Sequence, residues 1–152
     1  KLFKIVENGV FQEIKLKNAL EPKGLGTGAA VADIDNDGLL ELLISHGESG
    51  LQPLSLFKFN SDEKTSYLRI RPLNMHGAPA RGATVTLITN KREHSKTIDA
   101  GSGYLCQMEP VAHYGIRENE TEFKFKVKWT NGDEDLFDVK NLNETIIVNQ
   151  SS

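Results

Sequence analysis

The sequence predicts an all-β protein, and three observations carry that expectation. Its apolar runs are short and are cut by Gly, Asn or Pro at nearly every join. The run Phe123-Lys-Phe-Lys-Val-Lys-Trp129 alternates without a fault, apolar residues to one face and Lys124, Lys126 and Lys128 to the other. Asn8-Gly9 and Asn131-Gly132 each separate two such runs, which is the turn chemistry of a β-hairpin.

Taken in order, Leu2–Val6 and Val10–Ile14 form a hairpin about Glu7-Asn-Gly9. A brief helical turn is expected at Lys15–Leu20, ended by Pro22 and the Gly24-Leu-Gly-Thr-Gly28 run. Gly28–Asp33 and Leu39–Ser45 read as two buried strands meeting at a tight loop, and Leu54–Phe59 as another strand. The polar segment Asn60–Thr65 marks a boundary. Beyond it, strands are expected at Tyr67–Arg71, Ala83–Thr89, Ser95–Ile98, Phe123–Trp129, Leu136–Val139 and Ile146–Val148. Asn74–Gly82 is a loop, with Arg81-Gly82 turning into the next strand, and Asn90–His94 is a turn. A three-residue loop of Asn131, Gly132 and Asp133 would set Val127 opposite Phe137, Phe125 opposite Val139 and Asp138 beside Lys126.

The loop between the two buried strands holds the sharpest chemistry. Val31-Ala-Asp-Ile-Asp-Asn-Asp-Gly-Leu-Leu-Glu41 brings four carboxylates, Asp33, Asp35, Asp37 and Glu41, into nine residues. Crowded this closely they repel one another unless a cation sits among them. Ca²⁺ suits the set because it accepts six to eight hard oxygen ligands in irregular geometry. Alternation points Asp33, Asp35 and Asp37 to one centre, Gly38 supplies the turn, Leu39 offers its carbonyl and Glu41 a further carboxylate. The loop is not an EF-hand, since the twelfth position counted from Asp33 is Ile44 and the closing acid comes early. The plainer alternative is a solvated acidic turn, because Asp, Asn and Gly are ordinary turn formers.

Four strands around such a strand-loop-strand site describe one blade of a β-propeller. A single blade cannot bury both faces, so it belongs to a longer array, although no second copy of the acidic loop occurs in the sequence. The region after the boundary reads as an antiparallel β-sandwich of about seven strands. The expected division is a propeller blade at 1–60, a linker at 61–65 and a sandwich at 66–152.

The net charge of -3 argues against a nucleic-acid partner, for which there is no cation excess, and no apolar stretch is long enough for membrane insertion. The chain begins at Lys1 without Met or a signal-like segment, which reads as a piece of a longer or processed protein. Sequons at Asn119, Asn143 and Asn149 exceed the roughly one expected by chance and lean towards a secreted, extracellular glycoprotein. Cys106 alone does not decide the redox compartment.

Specific stretches resemble known families. Gly28–Ile44 resembles the Ca²⁺-loop repeat of integrin-type (FG-GAP) propellers. Arg81-Gly-Ala-Thr-Val-Thr-Leu87, Gly101–Gly115 and Val127–Gly132 look like the ASPIC/UnbV domain. Within the second of these, Gly-Tyr-Leu-Cys-Gln-Met-Glu-Pro-Val-Ala-His-Tyr-Gly resembles the cartilage acidic protein family in particular. The resemblance implies a secreted, Ca²⁺-binding glycoprotein of the extracellular matrix without catalytic activity, partnered by matrix or cell-surface receptor proteins. It assigns the metal to Asp33, Asp35, Asp37, the Leu39 carbonyl and Glu41, where the family more often has Asp at the last place. The family's Trp-Pro-x-Gly turn is Trp129-Thr-Asn-Gly132 here.

Other groupings have competing readings. Tyr104, Tyr114 and Trp129 form a sugar platform in a lectin-like, carbohydrate-binding alternative, or pack in the core. The stripe Lys124, Lys126 and Lys128 suits a sulphated glycosaminoglycan, or is a solvated face. Cys106 and His113, with Asp99 or Glu109, have the residue types of a thiol nucleophile, against the plainer pairing of a core cysteine and a turn histidine. His46, His76 and His94 are expected in polar loops without ligand spacing.

Overall fold

The computed structural model describes residues 2–6, 9–14, 26–47, 53–59, 65–99, 101–104 and 106–151. Every regular element among them is a strand. The helical turn expected at 15–20 and most of the expected linker lie outside the described residues.

β1 (Leu2–Ile5) and β2 (Phe11–Ile14) pair antiparallel as the hairpin pattern requires, and Val6 N–H donates to the Val10 carbonyl at 2.9 Å. β3 (Gly26–Ala32), β4 (Glu41–His46) and β5 (Ser55–Phe57) make a separate antiparallel sheet in the order β3-β4-β5. The described residues therefore hold three strands in the loop-bearing sheet, with the hairpin apart, where four in one sheet were expected. His46 ends β4, and its Nε2 lies 3.0 Å from Ser55 Oγ, so it belongs to a strand and not to a loop.

β6 (Ser66–Leu73), β7 (Thr84–Ile88), β8 (Glu93–Thr97), β9 (Ala112–Ile116), β10 (Lys124–Lys128), β11 (Glu134–Asp138) and β12 (Glu144–Asn149) form two sheets, ordered β11-β10-β7-β8 and β12-β6-β9. His94 lies within β8, again in a strand where a loop was expected, while His76 sits in the turn after β6. The two sheets contribute to one apolar cluster: Val85 and Leu87 of β7 and Phe125 and Val127 of β10 join Leu68 and Ile70 of β6 and Tyr114 of β9. Tyr114 spans the layer by donating its hydroxyl to the Val85 carbonyl at 2.8 Å, which satisfies the polar tip of an otherwise buried ring. Phe125 stacks on Phe137 with centroids 4.9 Å apart.

Among the described residues pairing is antiparallel except at one join. β12 runs parallel to β6, with Ile146 opposite Ile70 and Val148 opposite Pro72, which corrects the expectation of a wholly antiparallel arrangement. The short run Ile146-Ile-Val148 encodes a half-buried strand but carries no information on its direction; the crossover from β11 decides that.

The β10–β11 hairpin is bulged as expected, but its register differs. Trp129 N–H donates to the Asp133 carbonyl (2.9 Å) and Gly132 N–H to the Trp129 carbonyl (3.0 Å). The loop is Thr130-Asn-Gly132, one residue earlier than expected, so Phe125 faces Phe137 and Val127 faces Asp135. A three-residue hairpin places its left-handed residue last, and Gly132, at φ 99°, fills that place without a Cβ clash. The shift keeps every side chain on its expected face. Asp138 therefore opposes Lys124 and not Lys126; the ion pairs are Lys124–Asp138 at 3.5 Å and Lys126–Glu134 at 3.3 Å.

β6 positions the functional region. Leu68 and Ile70 turn into the core, so by period-two alternation Tyr67 and Arg69 project from the other face of the same sheet. Arg69 is nevertheless buried, because the acidic loop lies over it.

Candidate metal centre

The loop Asp33–Leu40 closes where Ala32 of β3 pairs with Glu41 of β4. Two residues take left-handed backbone, Asn36 (φ 59°) and Gly38 (φ 88°). Gly38 is doubly constrained, since a Cβ there would overlap the Tyr67 ring. The turn is therefore seated directly on a β6 side chain.

The loop's own groups hold it in shape. Asp33 Oδ2 accepts from Gly38 N–H (3.2 Å), Asp37 Oδ1 from Leu39 N–H (2.8 Å) and Glu41 Oε2 from Ile34 N–H (2.8 Å). One carboxylate oxygen from each of Asp33, Asp35 and Asp37 falls within 4.8 Å of the others, so the structure brings these three together; Glu41 is not in that close group. Asp33 and Glu41 are buried, at 5% and 4% exposure, whereas Asp35 and Asp37 face solvent. Asp33 Oδ1 and Glu41 Oε1 are buried without a hydrogen-bond partner. A buried anionic oxygen with no donor costs several kcal/mol of lost hydration, roughly, unless a cation meets it.

Sequence reading missed the cations that meet this loop from elsewhere in the chain. Lys58 Nζ bridges Asp35 and Asp37, the second contact at 2.8 Å. Its hydrogen bond holds the Asp37 carboxyl below the usual range, the Leu39 N–H adding to this, and the two carboxylates raise the Lys58 ammonium in turn. At the buried end, Arg69 Nη1 donates to Asp33 Oδ2 (3.0 Å) and Asn36 Oδ1 (3.2 Å), and Nη2 to both oxygens of Glu109 (2.6 Å each). Arg69 and Arg71 sit on the same face of an alternating strand, so only the fold distinguishes the buried one from the exposed one. Lys58 and Arg69 together meet four carboxylates, Asp35, Asp37, Asp33 and Glu109, and Glu41 adds a fifth to the cluster without either cation, leaving it with excess negative charge.

The ASPIC and UnbV family model matches residues 74–152. The chain belongs to that family. It is 47% identical to cartilage acidic protein 1 of Homo sapiens over 137 residues, covering 87% of this chain and 21% of the relative. The Mus musculus protein of the same name gives the same figures, and that of Xenopus tropicalis is 50% identical over 122 residues, 80% of this chain and 19% of the relative. The chain thus spans about a fifth of the length of the curated relatives it matches. The likeness seen in the Gly103–Gly115 stretch is borne out.

Within the ASPIC and UnbV region, the remaining groupings separate. Trp129 and Tyr114 are core residues, Trp129 donating its Nε1–H to Asp135 at 2.6 Å, and Tyr104 is exposed, so the three do not assemble a sugar platform. The lysine stripe is solvated, with Lys124 and Lys126 paired to carboxylates across the hairpin. Cys106 seats its Sγ against Gly28 of β3, where a Cβ would lie 2.5 Å away, while His113 stacks on Tyr67 with centroids 5.9 Å apart. No hydrogen bond joins Cys106 to His113, and Arg69 occupies both oxygens of Glu109. A cleft of about 310 Å³ runs between Val31, Ala32 and Leu40 on the loop side and Lys96, Glu109 and His113 on the other. Burial lowers the His113 imidazole there, with the Lys96 and Arg69 charges adding to it.

Asn119, Asn143 and Asn149 are all exposed. Asn143 also has a structural part, its Oδ1 accepting from Tyr67 N–H at 3.0 Å and its own N–H donating to the Tyr67 carbonyl at 2.8 Å.

Proposed function

We propose that this chain is a non-catalytic, Ca²⁺-binding module of a secreted extracellular matrix glycoprotein. In this reading residues 1–60 are an FG-GAP-type propeller blade and residues 66–152 a β-sandwich. The observation that carries it is the pair of buried, unpartnered carboxylate oxygens, Asp33 Oδ1 and Glu41 Oε1, in a loop that also gathers Asp35 and Asp37. The donor set, carboxylates plus a backbone carbonyl on an irregular loop, suits a hard cation of flexible coordination. Asp33, Asp35, Asp37, Glu41 and the Leu39 carbonyl would hold it, and Lys58 would leave Asp35 and Asp37. Bound Ca²⁺ supplies charge neutralisation, which lets the loop's carboxylates converge; the chain's own hydrogen bonds already set their directions.

The relatives' name, cartilage acidic protein 1, supports the matrix location. Their greater length is consistent with further blades. Exposed apolar side chains on the hairpin, Ile5 and Phe11 among them, support neighbours of that kind. No helix of the described residues is long and apolar enough to cross a membrane. The partner in this reading is a matrix or cell-surface receptor protein, and the three exposed sequons are the glycosylation sites.

Calorimetric titration with Ca²⁺, read beside the melting temperature, tests the metal site. A dissociation constant of about 10⁻⁴ to 10⁻³ M is expected, sufficient for extracellular Ca²⁺ to favour the folded state by mass action. Asp35→Ala should lower the melting temperature only when Ca²⁺ is present. Equal lowering with and without Ca²⁺ would defeat the assignment.

A further inference from the structure

We propose that the C-terminal region is part of the cation site, through Arg69 acting as a positioning residue for Asp33. The inference rests on the reading of the loop as a Ca²⁺ site. Asp33 carries two donors on one oxygen, Gly38 N–H at 3.2 Å and Arg69 Nη1 at 3.0 Å, and none on the other. A carboxylate anchored through Oδ2 in this way has Oδ1 set in one direction. That is the state a ligand oxygen needs before the cation arrives.

Arg69 is itself immobilised. It is 3% exposed, both oxygens of Glu109 clamp its far end, and the nitrogen that meets Asp33 also meets Asn36, the left-handed residue of the turn. Two positions back along β6, Tyr67 fills the space over Gly38. One strand of the C-terminal region therefore supplies both the wall against which the loop bends and the donor that orients its first carboxylate. Partners that orient a ligand typically change metal affinity by about 10- to 100-fold when removed.

Two opposed effects attend the guanidinium. Its positive charge disfavours a cation nearby; its hydrogen bonds fix the ligand. The geometry assigns the larger share to the second, because Arg69 is planar, forked and held at both ends, and lysine cannot reproduce that. By linkage, what Arg69 does for the cation the cation does in return for β6 and its partner β9.

The test is calorimetric Ca²⁺ titration of the whole chain and of Arg69→Lys, with Arg71→Met as the control for charge on the same strand. Arg69→Lys keeps the charge and is expected to bind Ca²⁺ about tenfold or more weakly, and Arg71→Met to bind it unchanged or slightly more tightly. Amide hydrogen exchange in β6 and β9 should slow on adding Ca²⁺ in the parent chain and respond less in Arg69→Lys. Arg69→Met, if it folds, separates the effects by sign: weaker binding supports positioning, and tighter binding overturns it. Unchanged affinity in Arg69→Lys, with the parent chain binding, overturns this inference alone. A parent chain that binds no Ca²⁺ overturns both the site and the inference.

Discussion

The two parts of this chain use the same β pattern and bury opposite kinds of residue. In the C-terminal part the interior is apolar: Leu68, Ile70, Val85, Leu87 and Val127 are all at 0% exposure. Among the described residues of the N-terminal part, Phe11 (67%) and Ile5 (64%) lie outside, Leu42, Ile44 and Phe57 are only half-buried, and the buried side chains are the acids Asp33 and Glu41. Alternation makes a strand, but only a second sheet facing it makes a core. Beside its strand ladders, the first part is held by hydrogen bonds and charge around one loop, to which Arg69 of β6 contributes.

Substitutions that ask where apolar area matters should break or sharpen this contrast first. Phe125→Ala empties a position packed on Phe137 and should cost about 3–5 kcal/mol, whereas Phe11→Ala should stay within about 0.5 kcal/mol. Urea denaturation of both variants measures the difference. Equal losses would show that the hairpin face is covered in solution.

A smaller effect tests charge inside the apolar half. Glu120 is buried and accepts from Arg92 Nε (2.5 Å) and Nη2 (3.3 Å) and from Arg117 N–H (3.0 Å). Burial alone raises its carboxyl, but the Arg117 N–H and the Arg92 guanidinium outweigh that and hold it below the ordinary value of 4.5. A depressed carboxyl stabilises the fold above its unfolded pKa, and that contribution is lost as pH falls from 4.5 through the folded value. Glu120→Gln should cost about 2 kcal/mol at neutral pH and flatten the stability profile below pH 4.5. An unchanged acid limb in the variant would remove Glu120 from the account.

The smallest effect concerns the exposed cation of the loop. Lys58 is on the surface between Asp35 and Asp37, so Lys58→Gln should leave the melting temperature without Ca²⁺ nearly unmoved. It should tighten Ca²⁺ binding about two- to fivefold, because one competing charge is gone. Calorimetry then sets the two loop cations apart: the exposed one competes, and the buried one positions. Weaker binding in Lys58→Gln would erase that distinction.

Much of this was legible in the residues themselves. Most of the strands other than β9, the inward face of Phe123–Trp129 and the acidic loop follow from short-range chemistry: period-two alternation, Asn-Gly turns, and the order of Asp and Gly around one bend. Even where the β10–β11 register differed, the faces held, since a shift of two preserves parity. The miss came from placing Gly132 in the middle of its loop and not at the left-handed end.

The sequence by itself determined that the protein is all-β, which face of the Phe123–Trp129 strand turns inward, and that four acids crowd one loop. Tertiary structure alone decided that β12 runs parallel to β6, that Ala112–Ile116, where no strand was expected, forms β9 and buries Tyr114, and that Lys58 and Arg69 meet the acids. The physical reason is range. Backbone preference and alternation act over a few residues, whereas Arg69 reaches Asp33 across a separation of 36 residues, and no local pattern records which strand face the loop will cover.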